Sequence, residues 1–116
     1  MDIYHVWCDL KPGVSDITFG ERVAEYMEYL KTEGLIENWR LMRRKLGLAP
    51  ADFREFHLMI ETNGLQQLDA AFAHVAARRE PAESVHFGVN ALAANVVFAL
   101  YRDFPDAFRR RGEEKF

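Results

Sequence analysis

The chain has a single cysteine, Cys8, so no disulfide can form within it. Such scarcity fits a reducing compartment and predicts a cytoplasmic protein. No run of ~18 apolar residues is present, the length a membrane-crossing helix needs, so no membrane partner is expected. Positive charge is not in excess: 15 Lys and Arg stand against 18 Asp and Glu, a net charge of −3. No global field therefore draws the chain to nucleic acid or anionic lipid. Met1-Asp2-Ile3-Tyr4-His5 carries no basic segment, and no secretory signal is predicted. A Gly-rich phosphate loop, a Ser-His-Asp order and a Cys-x-x-Cys pair are also missing.

What is present reads as one ordinary soluble domain. Hydrophobic residues make up 49% and charged residues 28% of 116 positions. A chain of this length buries roughly 65% of its unfolded surface, enough for one core. The expected domain covers residues 1–105. Residues 106–116, with Arg109-Arg110-Arg111 followed by Glu113 and Glu114, form a charged tail expected to fray.

One segment occurs twice. Tyr4-His5-Val6-Trp7-Cys8-Asp9 is answered by Phe56-His57-Leu58-Met59-Ile60-Glu61: aromatic, histidine, aliphatic, bulky, apolar, acid. Each copy alternates as a strand does and precedes a turn and a helical pattern. In the first strand, over 2–10, Tyr4, Val6, Cys8 and Leu10 share one face, and Ile3, His5, Trp7 and Asp9 the other. Ser15 or Asp16 can cap a helix running to about Glu33, with Phe19, Val23, Tyr26, Met27 and Leu30 as its apolar stripe and Gly34 at its end. Residues 36–46 predict a second strand, at a sheet edge guarded by Arg43-Arg44-Lys45. Residues 54–62 predict a third. Leu65, Leu68, Phe72 and Val75 mark a second helix to about Arg79. Pro81 opens a short third helix with Val85, Val89 and Leu92. Val96-Val97-Phe98-Ala99-Leu100-Tyr101 reads as a fourth strand to about Asp103; the competing reading is one helix from Pro81 to Phe104.

The resulting order is β-α-β-β-α-β with an extra short helix before the last strand. This is an α+β, ferredoxin-like antiparallel sheet with its helices on one face. Strands 1 and 3 are expected to be central antiparallel neighbours. The element order, and the segments Glu33-Gly34-Leu35-Ile36, Glu55-Phe56-His57 and Phe98-Ala99-Leu100-Tyr101-Arg102-Asp103-Phe104-Pro105, resemble an uncharacterised bacterial family of the dimeric α+β barrel superfamily. That superfamily holds antibiotic-biosynthesis monooxygenases, haem-degrading monooxygenases and stress-responsive proteins. The resemblance implies a homodimer whose sheets face each other. The haem-degrading members place an asparagine on strand 1, a tryptophan on strand 3 and a histidine on helix 2. Here strand 1 has His5 and Trp7 and no asparagine, and strand 3 has Met59, leaving His74 alone on helix 2. No haem or other cofactor is expected, and no catalytic residue carries over.

The candidate chemistry lies on the sheet face turned from the helices, where His5, Trp7, His57 and Met59 gather. Large apolar faces of this kind are seldom left exposed by soluble monomers. One reading is a dimer interface in which each histidine bonds to a carboxylate or a backbone group. A second is a pocket for a small apolar ligand lined by His5, Trp7, Arg40 and His57. A third, a metal site, lacks any close ligand spacing, and none is expected. His74, and His86 with Asn90, read as solvated helix positions; the alternative puts them at the mouth of a pocket between helices and sheet. Cys8 is expected in the core, as a small hydrophobe rather than a nucleophile. Two functions follow. One is a dimeric small-molecule-handling protein, a binder or cofactor-independent monooxygenase for a bulky apolar or aromatic compound. The other is a non-catalytic dimeric module.

Overall fold

The computed structural model describes residues 1–105, so the charged tail lies outside the described residues. Seven elements follow one another: β1 (Asp2–Leu10), α1 (Asp16–Thr32), β2 (Asn38–Arg43), β3 (Phe56–Thr62), α2 (Leu65–Ala76), α3 (Ala82–Asn90) and β4 (Ala93–Arg102). The strands form one antiparallel sheet in the order β2-β3-β1-β4. β1 and β3 are the central pair, as their shared pattern predicts. The segment from Asn95 is strand, not helix: six β-branched, aromatic and apolar residues in a row pair readily with β1 on the pleat.

Local chemistry explains the boundaries. The Ser15 side chain accepts a hydrogen bond from the Thr18 backbone N–H and caps α1. Gly34, at φ +73°, ends that helix in the left-handed region that glycine tolerates. α2 starts at Gly64, which has no capping side chain. A carboxylate from β1 serves instead: Asp2 is buried, pairs with Arg102 of β4, and is hydrogen-bonded by the Leu65 backbone N–H. Those contacts, Arg102 first, hold its carboxyl below the usual range. Near its start β4 carries a bulge. Trp7 pairs with Val97 and Asp9 with Ala94, so three residues on β4 span two on β1. Asn95 takes the positive φ, +54°, and donates its side-chain amide to Asp9.

The helices α1, α2 and α3 lie on one face of the sheet. The core joins Phe19, Val23, Met27 and Leu30 of α1 to Cys8, Phe56, Leu58, Ile60 and Ile36. Cys8 is buried here, and desolvation raises its thiol pKa to about 11, which removes it as a nucleophile. α1 packs closely on α3, whereas α2 touches α3 and the sheet lightly. The stripe expected for helix 2 is accordingly only partly buried: Leu68 is covered, while Leu65 and Phe72 are about half exposed. Helical period places residues on one face, but that face is buried only if a partner comes close enough.

Candidate functional site

The open face of the sheet brings three of the four residues singled out there into one row. His5 and His57 sit diagonally on adjacent central strands, and His5 Nδ1 lies 2.8 Å from His57 Nε2. The expectation that each would bond to a carboxylate or the backbone does not hold; they bond to each other. Antiparallel register carries the acids away: Glu61 pairs with Ile3, and Asp9 with Ala94 at the other end. Asp9 accepts hydrogen bonds from the Glu55 backbone N–H and Asn95 instead. Trp7 stacks on His57 at 4.3 Å and on Phe53 at 4.8 Å, and Tyr101 stands edge-on to His5 at 5.0 Å. Phe53, Trp7, His57, His5 and Tyr101 thus make a continuous row of rings. Arg40 is on this face, opposite Met59, but is exposed and joins none of these ring contacts.

Trp7 is only 8% exposed although none of α1, α2 and α3 covers it. The segment between β2 and β3 folds back over this end of the sheet and lays Phe53 on the indole. Together they form a cleft of about 300 Å³, lined among others by Trp7, His57, Met42, Phe53 and Leu48. Desolvation lowers the pKa of both histidines, and at His57 the neighbouring His5 lowers it further. Both shifts favour the neutral imidazoles, and two neutral rings can share one proton in the hydrogen bond between them.

A larger space lies on the opposite face. Where α2 stands off from the sheet, a cavity of about 700 Å³ opens between helices and strands. Its walls are the apolar side chains of the core and of α2, α3 and β4; Tyr4, Tyr26, Arg78, Glu83, His86 and Asn90 are polar residues along it. The Tyr4 ring meets Phe72 edge-on at 5.2 Å and runs parallel to Phe98 at 5.9 Å. Phe87 and Phe98 are 64% and 59% exposed.

The solvated-face reading holds for Asn90, which is exposed, whereas His86 is half-buried. Both line this cavity, and the His86 ring leans on Tyr26 at 5.6 Å. His74 is not merely solvated either: its Nε2 lies 2.6 Å from the Tyr29 hydroxyl and ties α2 to α1. The spacing of His86 and Asn90 signalled a shared helix face; only the packing of α3 on α1 directs that face to a cavity. Among the described residues no cluster of three or more His, Cys, Asp or Glu could hold a metal ion. None of the described helices is long and apolar enough to cross a membrane.

Solved structures share this fold at low identity. The protein At3g17210 from Arabidopsis thaliana superposes with a TM-score of 0.72 at 10% identity, covering 93% of this chain and 100% of that one. A protein from Bacteroides fragilis, described as dimeric, of unknown function and ferredoxin-like in fold, gives 0.55 at 12% identity, over 88% and 96% of the two chains. A dimeric ferredoxin-like protein of unknown function from Thermobifida fusca gives 0.52 at 16%, over 87% and 90%. No curated protein matches the chain. At these identities the likeness speaks for the fold alone. The sequence itself matches a family model over residues 1–116, and the chain belongs to that family, the family of unknown function DUF6614.

Proposed function

We propose that two copies of this chain pair through the open sheet face, and that each holds a small apolar or aromatic molecule between its helices and its sheet. The observation that carries the ligand half is the cavity of about 700 Å³. Apolar walls with a few polar groups are how small-molecule sites are built. A cofactor-independent monooxygenase would need a base beside the bound molecule, and the imidazole along this wall is His86. The dimer half is supported by the row of rings from Phe53 to Tyr101, which no element among the described residues covers as a layer. Two structural neighbours described as dimeric point the same way.

Titration with the neutral fluorophore N-phenylnaphthylamine tests the ligand half. Saturable, blue-shifted emission is expected. Ala76→Trp, which sets a large ring into the wall from the exposed end of α2, should remove most of it. Absence of saturable binding to the unaltered protein would sink this half. Sedimentation should show a dimer, and a monodisperse monomer at micromolar concentration would sink the other half. A second reading, a ligand pocket on the open face using His5, Trp7, Arg40 and His57, is favoured by the cleft of about 300 Å³ that Trp7 and His57 line. Probe binding that survives Ala76→Trp but is lost in Trp7→Ala would favour it.

A further inference from the structure

The cleft on the open face gathers cations in a chain whose net charge is −3. Among the described residues Arg43, Arg44, Lys45 and Arg54 line it, against one carboxylate, Glu55. Arg43 is already matched, to Glu55 at 2.6 Å and to Asp16 at 2.9 Å. The other three are not. Arg54 reaches Asp9 only at 3.7 Å, and its Nε is closed to solvent with no hydrogen-bond partner among the described residues. A buried donor left so is costly. Arg44 has no carboxylate at ion-pair distance among them, and its Nη1 lies 3.5 Å from the Phe53 carbonyl, a long contact. The Lys45 side chain has neither ion pair nor hydrogen bond among the same residues.

Cations on an edge strand can serve merely to keep sheets apart, the role expected of Arg43-Arg44-Lys45. Arg54 does not fit that role, since it comes from the other end of the β2–β3 segment and lines the same space. The Arg44 backbone N–H donates to the Glu55 carbonyl at 2.7 Å, and its guanidinium lies against the carbonyl that precedes Arg54. The two ends of the segment are thereby tied together at the cleft. Beside the cations stand apolar side chains, Leu48 and the 40% exposed ring of Phe53. A neutral ligand would leave the cations unmatched, and an inorganic ion would leave the apolar wall bare. A carboxylate or phosphate accepts from an arginine fork at two points and meets a lysine as a point charge. We propose that the cleft takes a small organic anion, its carboxylate or phosphate received by Arg44, Lys45 and Arg54 and its apolar body by Phe53 and Leu48. The proposal rests on the second reading above, a ligand site on the open face, and assigns its charge recognition to the β2–β3 segment. Arg44 and Lys45 follow directly on β2, the edge strand, so the cationic wall lies at the rim of that face.

Trp7 lines the cleft and reports on it. The other tryptophan, Trp39, is bonded to Glu28 of α1, so Trp39→Phe leaves Trp7 as the reporter. Benzoate and phenyl phosphate should each change its emission saturably, and the tighter of the two names the head group the site prefers. Benzamide, the neutral counterpart of benzoate, should bind at least about tenfold more weakly. Arg44→Gln/Lys45→Gln, at two exposed positions, should weaken benzoate about tenfold and leave benzamide unchanged. Lys11→Gln/Lys31→Gln removes the same charge away from the cleft and should alter neither. Calorimetric titration of the unaltered protein repeats the ligand comparison without any substitution. Equal binding of benzoate and benzamide, or equal weakening of benzoate in the two double variants, would overturn the anion assignment while leaving the cleft a ligand site. No response to any of the three compounds would overturn the open-face reading with it, and the larger cavity would still stand on its own titration.

Discussion

The two faces of the sheet solve the same problem differently. On the helix side, apolar side chains are buried by a second layer, and that layer is uneven. Beneath α1 the fit is close, with Phe19, Val23 and Met27 almost wholly enclosed. Beneath α2 and α3 it opens into the cavity, where Phe72, Phe87 and Phe98 remain exposed. On the open side the described residues form no second layer, and Trp7 is buried by rings stacked on it, His57 in the row and Phe53 from the β2–β3 segment. A filled half, a hollow half and a stacked row therefore coexist on four strands. The filled half supplies stability, and the proposed ligand site and the proposed interface use the hollow half and the row.

The largest effect should come from setting the filled half against the hollow one. Phe19→Ala should cost about 3–5 kcal/mol in urea denaturation, since it empties a closed site. Phe72→Ala, from the half-exposed wall, should cost under about 1.5 kcal/mol. Equal losses would mean the two halves are packed alike. Next comes the open face. Trp7→Asp puts a carboxylate among rings, and the dimer should weaken by about 3 kcal/mol, over a hundredfold in dissociation constant. An unchanged sedimentation profile would show that assembly uses another surface.

A smaller effect is expected from acid. Free histidine titrates near 6.5, and in the folded chain burial lowers the values of both His5 and His57. Below 6.5 the unfolded chain therefore takes up protons that the native pair resists, and stability falls as pH falls, until the lowered native values are passed. Denaturation midpoints at pH 8, 6 and 5 should decline along this course, and the decline should shrink in the His5→Gln/His57→Gln variant. A decline of the same size in that variant would exonerate the pair. The smallest effect concerns Tyr29→Phe, which removes the bond to His74. About 1 kcal/mol should be lost, read as faster amide exchange in α2 with α1 little changed. Uniform acceleration across both helices would mean that bond holds more than α2.

Much of this was legible along the chain because it is local. Period-two alternation set the faces of β1 and β3, so Tyr4, Val6 and Cys8 were correctly turned to the helices and His5 and Trp7 away. The proximity of His5 and His57 followed from equal places in a repeat on neighbouring strands. The failures share one cause. Phe53, in a segment without periodicity, gives no sign that it will cover Trp7. Phe72 and Leu65 match a helical stripe as well as Leu68 does, yet only Leu68 is covered. His86 carries nothing that distinguishes a cavity wall from a solvated face.

Sequence alone determined the elements, their order, the side of the sheet each strand residue takes, the place of Cys8 in the core and the nearness of two histidines. Backbone period and antiparallel register are enough for all of these. Only the tertiary structure decided where space is left. The gap under α2 and the mutual hydrogen bond of the histidines depend on distances between elements far apart in the chain. Those distances come from the summed packing of every side chain in the layer, and no short stretch of residues encodes them.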